Sequence, residues 1–228
     1  KEAVNLMRIV NLKIQNNYIR GVDQSLPSFK GIVCGSVEGT LSIEKNRIYL
    51  NHHSFNFGLG ISFNGTPTNR GLVANNIVDV VVGSGSINEN SAFATSGSTY
   101  LDIVHNTFRV KNISYGPNTN STGMSAGLGS GYNNRFLNNI VVNNTGQWGA
   151  FSFKNDSNST LTNNTIANNL SSNTTPYLMF LLNSVPVISN SIIIDNGEVY
   201  FPQSTPDITY SCVTGGFTGE GNIDEDPL

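Results

Sequence analysis

Charge is scarce in this chain. Only 12% of its 228 residues are Asp, Glu, Lys or Arg, and the formal net charge is -3. Clustered Lys and Arg, the electrostatic footprint of a nucleic-acid partner, are absent, so none is expected. No run of 18 apolar residues occurs, which excludes a helical membrane span. Few charges beside 38% hydrophobic residues also argue against disorder. Cysteine is limited to Cys34 and Cys212, near opposite ends of the chain, and two separate buried thiols are expected. There is no Cys-x-x-Cys and no Cys/His metal spacing. His52 and His53 are adjacent and would point to opposite faces of a strand. No signal peptide is visible at Lys1, and the chain reads as a piece of a longer protein, one domain over residues 1–228.

What is abundant is asparagine, at 34 residues, most of them beside Val, Ile, Leu or Phe. A template recurs: an apolar residue, two residues, Asn, one residue, an apolar residue. It fits Ile14/Asn17/Ile19, Ile43/Asn46/Ile48, Val73/Asn76/Val78 and Ile103/Asn106/Phe108. It fits again at Phe136/Asn139/Val141, Leu161/Asn164/Ile166, Val187/Asn190/Ile192 and, with Ser for Asn, Ile208/Ser211/Val213. Successive centres lie 29, 30, 30, 33, 25, 26 and 21 residues apart. A repeat of two fixed-length helices would not drift so far; a β-coil with variable loops would. The apolar positions are mostly β-branched or aromatic, which favours strands.

Each repeat divides into three strand-like pieces. The first pieces are Lys30–Ser36, Gly58–Asn64, Ser91–Ser96, Ser125–Ser130, Gly149–Lys154 and Tyr177–Asn183, and the chain opens on a strand-like stretch, Val4–Val10. The expected fold is all-β: a single-stranded right-handed parallel β-helix of about eight coils, with three sheets. The central Asn is expected at the bend from second to third strand, where it tolerates a left-handed backbone. Stacked about 4.8 Å apart, these amides would form an internal ladder.

On these residues the chain resembles the pectin-lyase-like superfamily of parallel β-helices. The C-terminal stretch, Tyr210-Ser211, Gly221-Asn222-Ile223-Asp224 and Asp226-Pro227-Leu228, is similar to the closing coil of secreted bacterial and archaeal β-helix repeat proteins. The resemblance implies a secreted or cell-surface location. It leaves function open, since this fold carries lyases, hydrolases, adhesins and scaffolds. It also raises Ca²⁺ as a cofactor of such folds, but no acidic repeat marks a site here, and no cofactor is expected.

The chemistry of that superfamily's enzymes stands on the first sheet and its loops. Here that sheet is nearly uncharged, with Lys154 alone near its end. The superfamily's Trp-Ile-Asp-His and Arg-x-Pro-x-x-Arg lyase motifs are absent, as are the paired-Asp signatures of its galacturonases. Glycoside hydrolysis needs two carboxylates at a set separation. Only 15 acidic residues exist, and Asp224, Glu225 and Asp226 read as a solvated tail. One constellation remains. In the third strand, the residue after Ile19, Ile48, Val78 or Phe108 should point outward. That gives an outer column Arg20, Tyr49, Asp79, Arg109, with Lys111 on the same face. It is a small mixed patch suited to an acidic sugar: Tyr49 and Arg20 as binding residues, Arg109, Lys111 and Asp79 as the candidates if there is catalysis. Its bland counterpart is a surface salt bridge.

Nine Asn-x-Ser/Thr triplets, at Asn64, Asn112, Asn120, Asn143, Asn155, Asn158, Asn163, Asn169 and Asn173, are glycan acceptors only in a secreted host context. Three functions follow as expectations. The first is a surface scaffold or adhesive module with bare ends, partnered by polysaccharide, by copies of itself or by neighbouring domains. The second is a polysaccharide lyase or hydrolase walled by loops Val82–Ala92 and Ser114–Ser125. The third is a carbohydrate-binding module that stacks sugars on Tyr49, Tyr100, Tyr115, Tyr132 or Trp148.

Overall fold

A computed structural model of the chain describes residues 2–22, 29–52, 58–64, 68–82, 91–96, 100–112, 128–129, 133–146, 151–154, 158–171, 177–194, 198–201 and 203–225. Within them the chain is an all-β parallel solenoid with three main sheets, a further two-stranded sheet of Thr145–Gly146 and Leu170–Ser171, and no helix. Each of the three contains eight strands, and neighbours in a sheet are equivalent strands from successive turns. The first sheet runs from Glu2–Leu6 to Glu198–Tyr200, the second from Ile9–Gln15 to Asp207–Thr209, and the third from Tyr18–Val22 to Cys212–Val213. Register follows the repeat: Ile43 pairs with Val73, Val73 with Ile103, and Ile103 with Phe136.

These template residues face the core. Ile43, Val73, Ile103, Phe136, Leu161, Ile48, Val78 and Phe108 are all buried. Phe63, Phe93, Phe108, Phe136 and Phe153 fill the middle, with ring centroids 5.6–6.4 Å apart. Burying one such side chain contributes on the order of 2–3 kcal/mol. Cys34 and Cys212 are both free and buried.

Several details differ from the reading of the sequence. Val4–Val10 is not one strand. Glu2–Leu6 and Ile9–Gln15 belong to different sheets, with Arg8 at a φ of 56° between them. Glu198–Tyr200 is a further first-sheet strand, and residues 125–130 are described only at Leu128–Gly129. The first sheet is less bare of charge than expected, since its strands include Glu2, Lys30 and Glu198 besides Lys154. Val33 and Ser62 alternate with core-facing Ile32, Cys34, Ile61 and Phe63, yet they are themselves buried.

The ladder is continuous. Backbone N–H and Nδ2 of Asn17 both donate to Asn46 Oδ1 at 3.0 Å. Asn46 donates likewise to Asn76, Asn76 to Asn106, Asn106 to Asn139, and Asn139 to Asn164. The second Nδ2 hydrogen reaches back to the preceding turn, as from Asn76 to Ile43 O at 2.9 Å. Every amide hydrogen in the buried corner is thereby used. Asn190 is a correction. The next rung is Ser191, whose Oγ accepts from Asn164 N–H at 3.2 Å, and Ser191 N–H donates to Ser211 Oγ at 3.1 Å. Asn190 stands exposed one residue earlier, with a φ of 49°. The left-handed backbone also belongs to the residue before each rung: Asn16, Lys45, Asn75, His105, Asn138, Asn163, Asn190 and Tyr210.

Candidate functional site

The third sheet aligns the outward column. Arg20 pairs with Tyr49, Tyr49 with Asp79, and Asp79 with Arg109. Their neighbours Ile19, Ile48, Val78 and Phe108 are buried, so strand alternation turns the column to the outside. Arg109 grips Asp79 with two bonds: Nε donates to Oδ1, and Nη2 donates to Oδ2 at 2.9 Å. The pair stays partly solvated, with side chains 43% and 27% exposed, so its own contribution to stability is about 0–1 kcal/mol.

Two shallow grooves share this pair. One, of about 280 Å³, is lined by Tyr18, Arg47, Tyr49, Asp79 and Arg109. The other, of about 320 Å³, is lined by Tyr49, Asp79, Val81, Arg109, Lys111 and Asn143. Together they cross five successive turns along the solenoid axis. The strands Arg47–His52, Ile77–Val82 and Thr107–Asn112 have six residues each, whereas Ile140–Val142 and Thr165–Ala167 have three. That step has a cause. Val110 N–H donates to Asn144 Oδ1, and Asn144 N–H and Nδ2 donate to Asn169 Oδ1 at 3.0 and 2.7 Å. This second amide ladder bends the chain early and sets Asn143 at the groove's end.

Arg20, Arg47 and Lys111 pair with no carboxylate among the described residues. With Arg109 they set four cations against Asp79, an excess of three on a chain whose net charge is -3. Beside Tyr49, Asn51 Oδ1 is buried with no hydrogen-bond partner among the described residues, and Asn51 Nδ2 lies 3.4 Å from Tyr49 OH.

A second polar cluster, on the second sheet, went unseen in the sequence. Asp102 accepts from Arg70 Nη1 at 3.0 Å and from Arg135 Nε at 2.6 Å. Burial alone would raise its pKa, but the bonds and charges of Arg135 and Arg70 outweigh that and hold the carboxyl below its ordinary range. Arg70 also lies 3.7 Å over the Tyr100 ring and donates to Asn133 O at 2.8 Å. One face of Tyr100 is therefore taken by Arg70, while the residue stays exposed. The signal was the register that sets Arg135 beside Asp102.

Tyr115, Tyr132 and Trp148 lie outside the described residues, as do nearly all of the two loops 82–92 and 114–125. No group of three His, Cys, Asp or Glu side chains converges among the described residues. Of the glycan triplets, Asn169 is buried in the second ladder and unsuited to carry one, while Asn143 and Asn163 stand exposed. Comparison with known proteins finds no matching family profile, no matching curated protein and no matching solved structure.

Proposed function

We propose that this chain is a secreted or cell-surface scaffold of the pectin-lyase-like kind, a right-handed solenoid of about eight coils whose third sheet binds an acidic polysaccharide without cleaving it. The observation that carries this reading is the groove along Tyr49, Asp79 and Arg109, flanked by Arg20, Arg47 and Lys111. Excess cations on a net-negative chain favour an anionic ligand. Tyr18 and Tyr49 offer aromatic surface, and Asp79 offers an acceptor for a hydroxyl. Successive turns stand about 4.8 Å apart, so a chain lying along the axis meets a new set of side chains at each turn. Against catalysis, Arg109 is held by Asp79 and is poorly placed to act as a base.

Affinity electrophoresis in gels containing polygalacturonate or a neutral glucan tests binding. The acidic gel should retard the protein, and Arg109→Ala should weaken that retardation. Unchanged binding by this variant would remove the groove from the account. Ultraviolet absorbance of the same mixtures reads unsaturated uronide, and its appearance would make the protein a lyase.

A further inference from the structure

The third sheet changes character along its length. After Thr107–Asn112, with its Arg109 and Lys111, the strands Ile140–Val142, Thr165–Ala167 and Ile192–Ile194 contain no Asp, Glu, Lys or Arg. Val141, Ile166 and Ile193 are buried in the core, so strand alternation turns the residues on either side of each to the outside. Register sets these in two columns, Ile140, Thr165, Ile192 and Val142, Ala167, Ile194. Ile140 is exposed, and Val142, Thr165, Ile192 and Ile194 are half-buried. Ala167 is buried, a low point between the larger side chains of its column.

Both margins of this strip carry exposed amides. At the corner with the second sheet stand Asn138, Asn163 and Asn190, with φ of 54°, 56° and 49°. At the opposite margin stand Asn143 and Asn168, with φ of 56° and 53°. The two ladders are the cause. Asn139, Asn164 and Ser191 build the first, Asn144 and Asn169 the second, and each buried rung leaves the residue before it facing outward. The result is an uncharged apolar floor, two columns wide, between rows of carboxamides that repeat about every 4.8 Å.

From this pattern we infer that the strip is a carbohydrate subsite distinct from the charged groove, and that it takes a neutral glycan whose equatorially linked rings form a flat ribbon. Such a ribbon has apolar C–H faces and hydroxyl edges. One face rests on Ile140, Thr165, Ile192 and Val142, where burial of apolar surface favours it. The hydroxyls at both edges meet the rim amides, which donate and accept. A protein partner fits poorly: three turns by the width of the strip offer about 100–200 Å², against about 800 Å² per partner in a stable interface. A charged ligand would find no counter-charge on this floor. The subsite does not depend on the acidic-sugar reading, because it uses neither Arg109 nor Lys111.

Titration calorimetry of the full chain with cellohexaose, a neutral oligomer of this shape, tests the inference. Binding should be the same at low and high salt and in Lys111→Glu. The double variant Asn138→Gly/Asn163→Gly removes two rim amides where glycine keeps the left-handed backbone, and should weaken binding about tenfold. Thr165→Lys, which sets a charge in the middle of the floor, should abolish it, with thermal unfolding confirming that both variants fold. Maltohexaose, whose axial linkages curl the chain, should bind far more weakly. Native protein that does not bind cellohexaose, binding indifferent to both strip variants, equal binding of maltohexaose, or loss in Lys111→Glu would each overturn the inference. Failure of acidic oligosaccharides to bind, with cellohexaose still held, would remove the groove and leave this subsite standing.

Discussion

Each corner between the second and third sheets uses two adjacent residues for two different tasks. The first takes the left-handed backbone and faces solvent; the second carries the hydrogen bonds and, from Asn46 onward, is buried. Asn75 and Asn76 show the division. Asn76→Ala removes the acceptor for two Asn46 donors and the donor to Ile43 O, and should cost about 3 kcal/mol. Asn75→Ala pays only the left-handed penalty, about 1–2 kcal/mol, and Asn75→Gly should be near neutral. Urea denaturation of the three variants checks the order; equal costs would mean that the ladder bonds contribute little. The sequence showed the rungs but assigned both tasks to one residue. At the seventh rung, Ile192-Ile193-Ile194 is apolar throughout, so alternation could not tell Asn190 from Ser191.

Cys34 makes a prediction at the same scale. Burial pushes its thiol from an ordinary value near 9 up to about 12. The folded chain therefore keeps a proton that the unfolded chain releases. The stabilisation is complete below pH 9 and is lost as pH rises from 9 toward 12, by up to about 1.4 kcal/mol per pH unit. Cys34→Ser should flatten that alkaline slope in thermal unfolding.

Among whole elements, the second-sheet strands Gly71–Ala74, Leu101–Val104 and Arg135–Leu137 are tied on their outer face by Asp102. Its lowered pKa contributes stability above the ordinary aspartate range, and this is lost as pH falls through the folded value. Asp102→Asn should therefore lower stability at neutral pH and reduce its dependence on acid; an unchanged acid profile would argue against the tie. The Asp102–Arg135 contact follows from the repeat register as Asp79–Arg109 does; Arg70 was hidden because it precedes its strand, two residues before Leu72, the register partner of Asp102. The first-sheet strands Gly58–Asn64 and Ser91–Ser96 were legible to the residue, because their apolar runs are bounded by Gly and Ser. The second ladder was legible in principle, since Asn143-Asn144 and Asn168-Asn169 repeat the doublet of Asn138-Asn139 and Asn163-Asn164 five residues later.

Over the whole molecule, the solenoid turns a drifting sequence period into straight columns, and one column concentrates the cations of a net-negative chain. The column was readable because a strand's period of two fixes what points outward. Its grooves were not, since they depend on the step from six-residue to three-residue strands. Titration calorimetry of the native protein and of Lys111→Glu with an acidic oligosaccharide, at low and high salt, tests the binding claim most directly. Arg135→Glu, on the second sheet, serves as the control. The account predicts binding that weakens with salt, is lost in Lys111→Glu and survives in Arg135→Glu. Binding unchanged in Lys111→Glu, or lost equally in both variants, would contradict it.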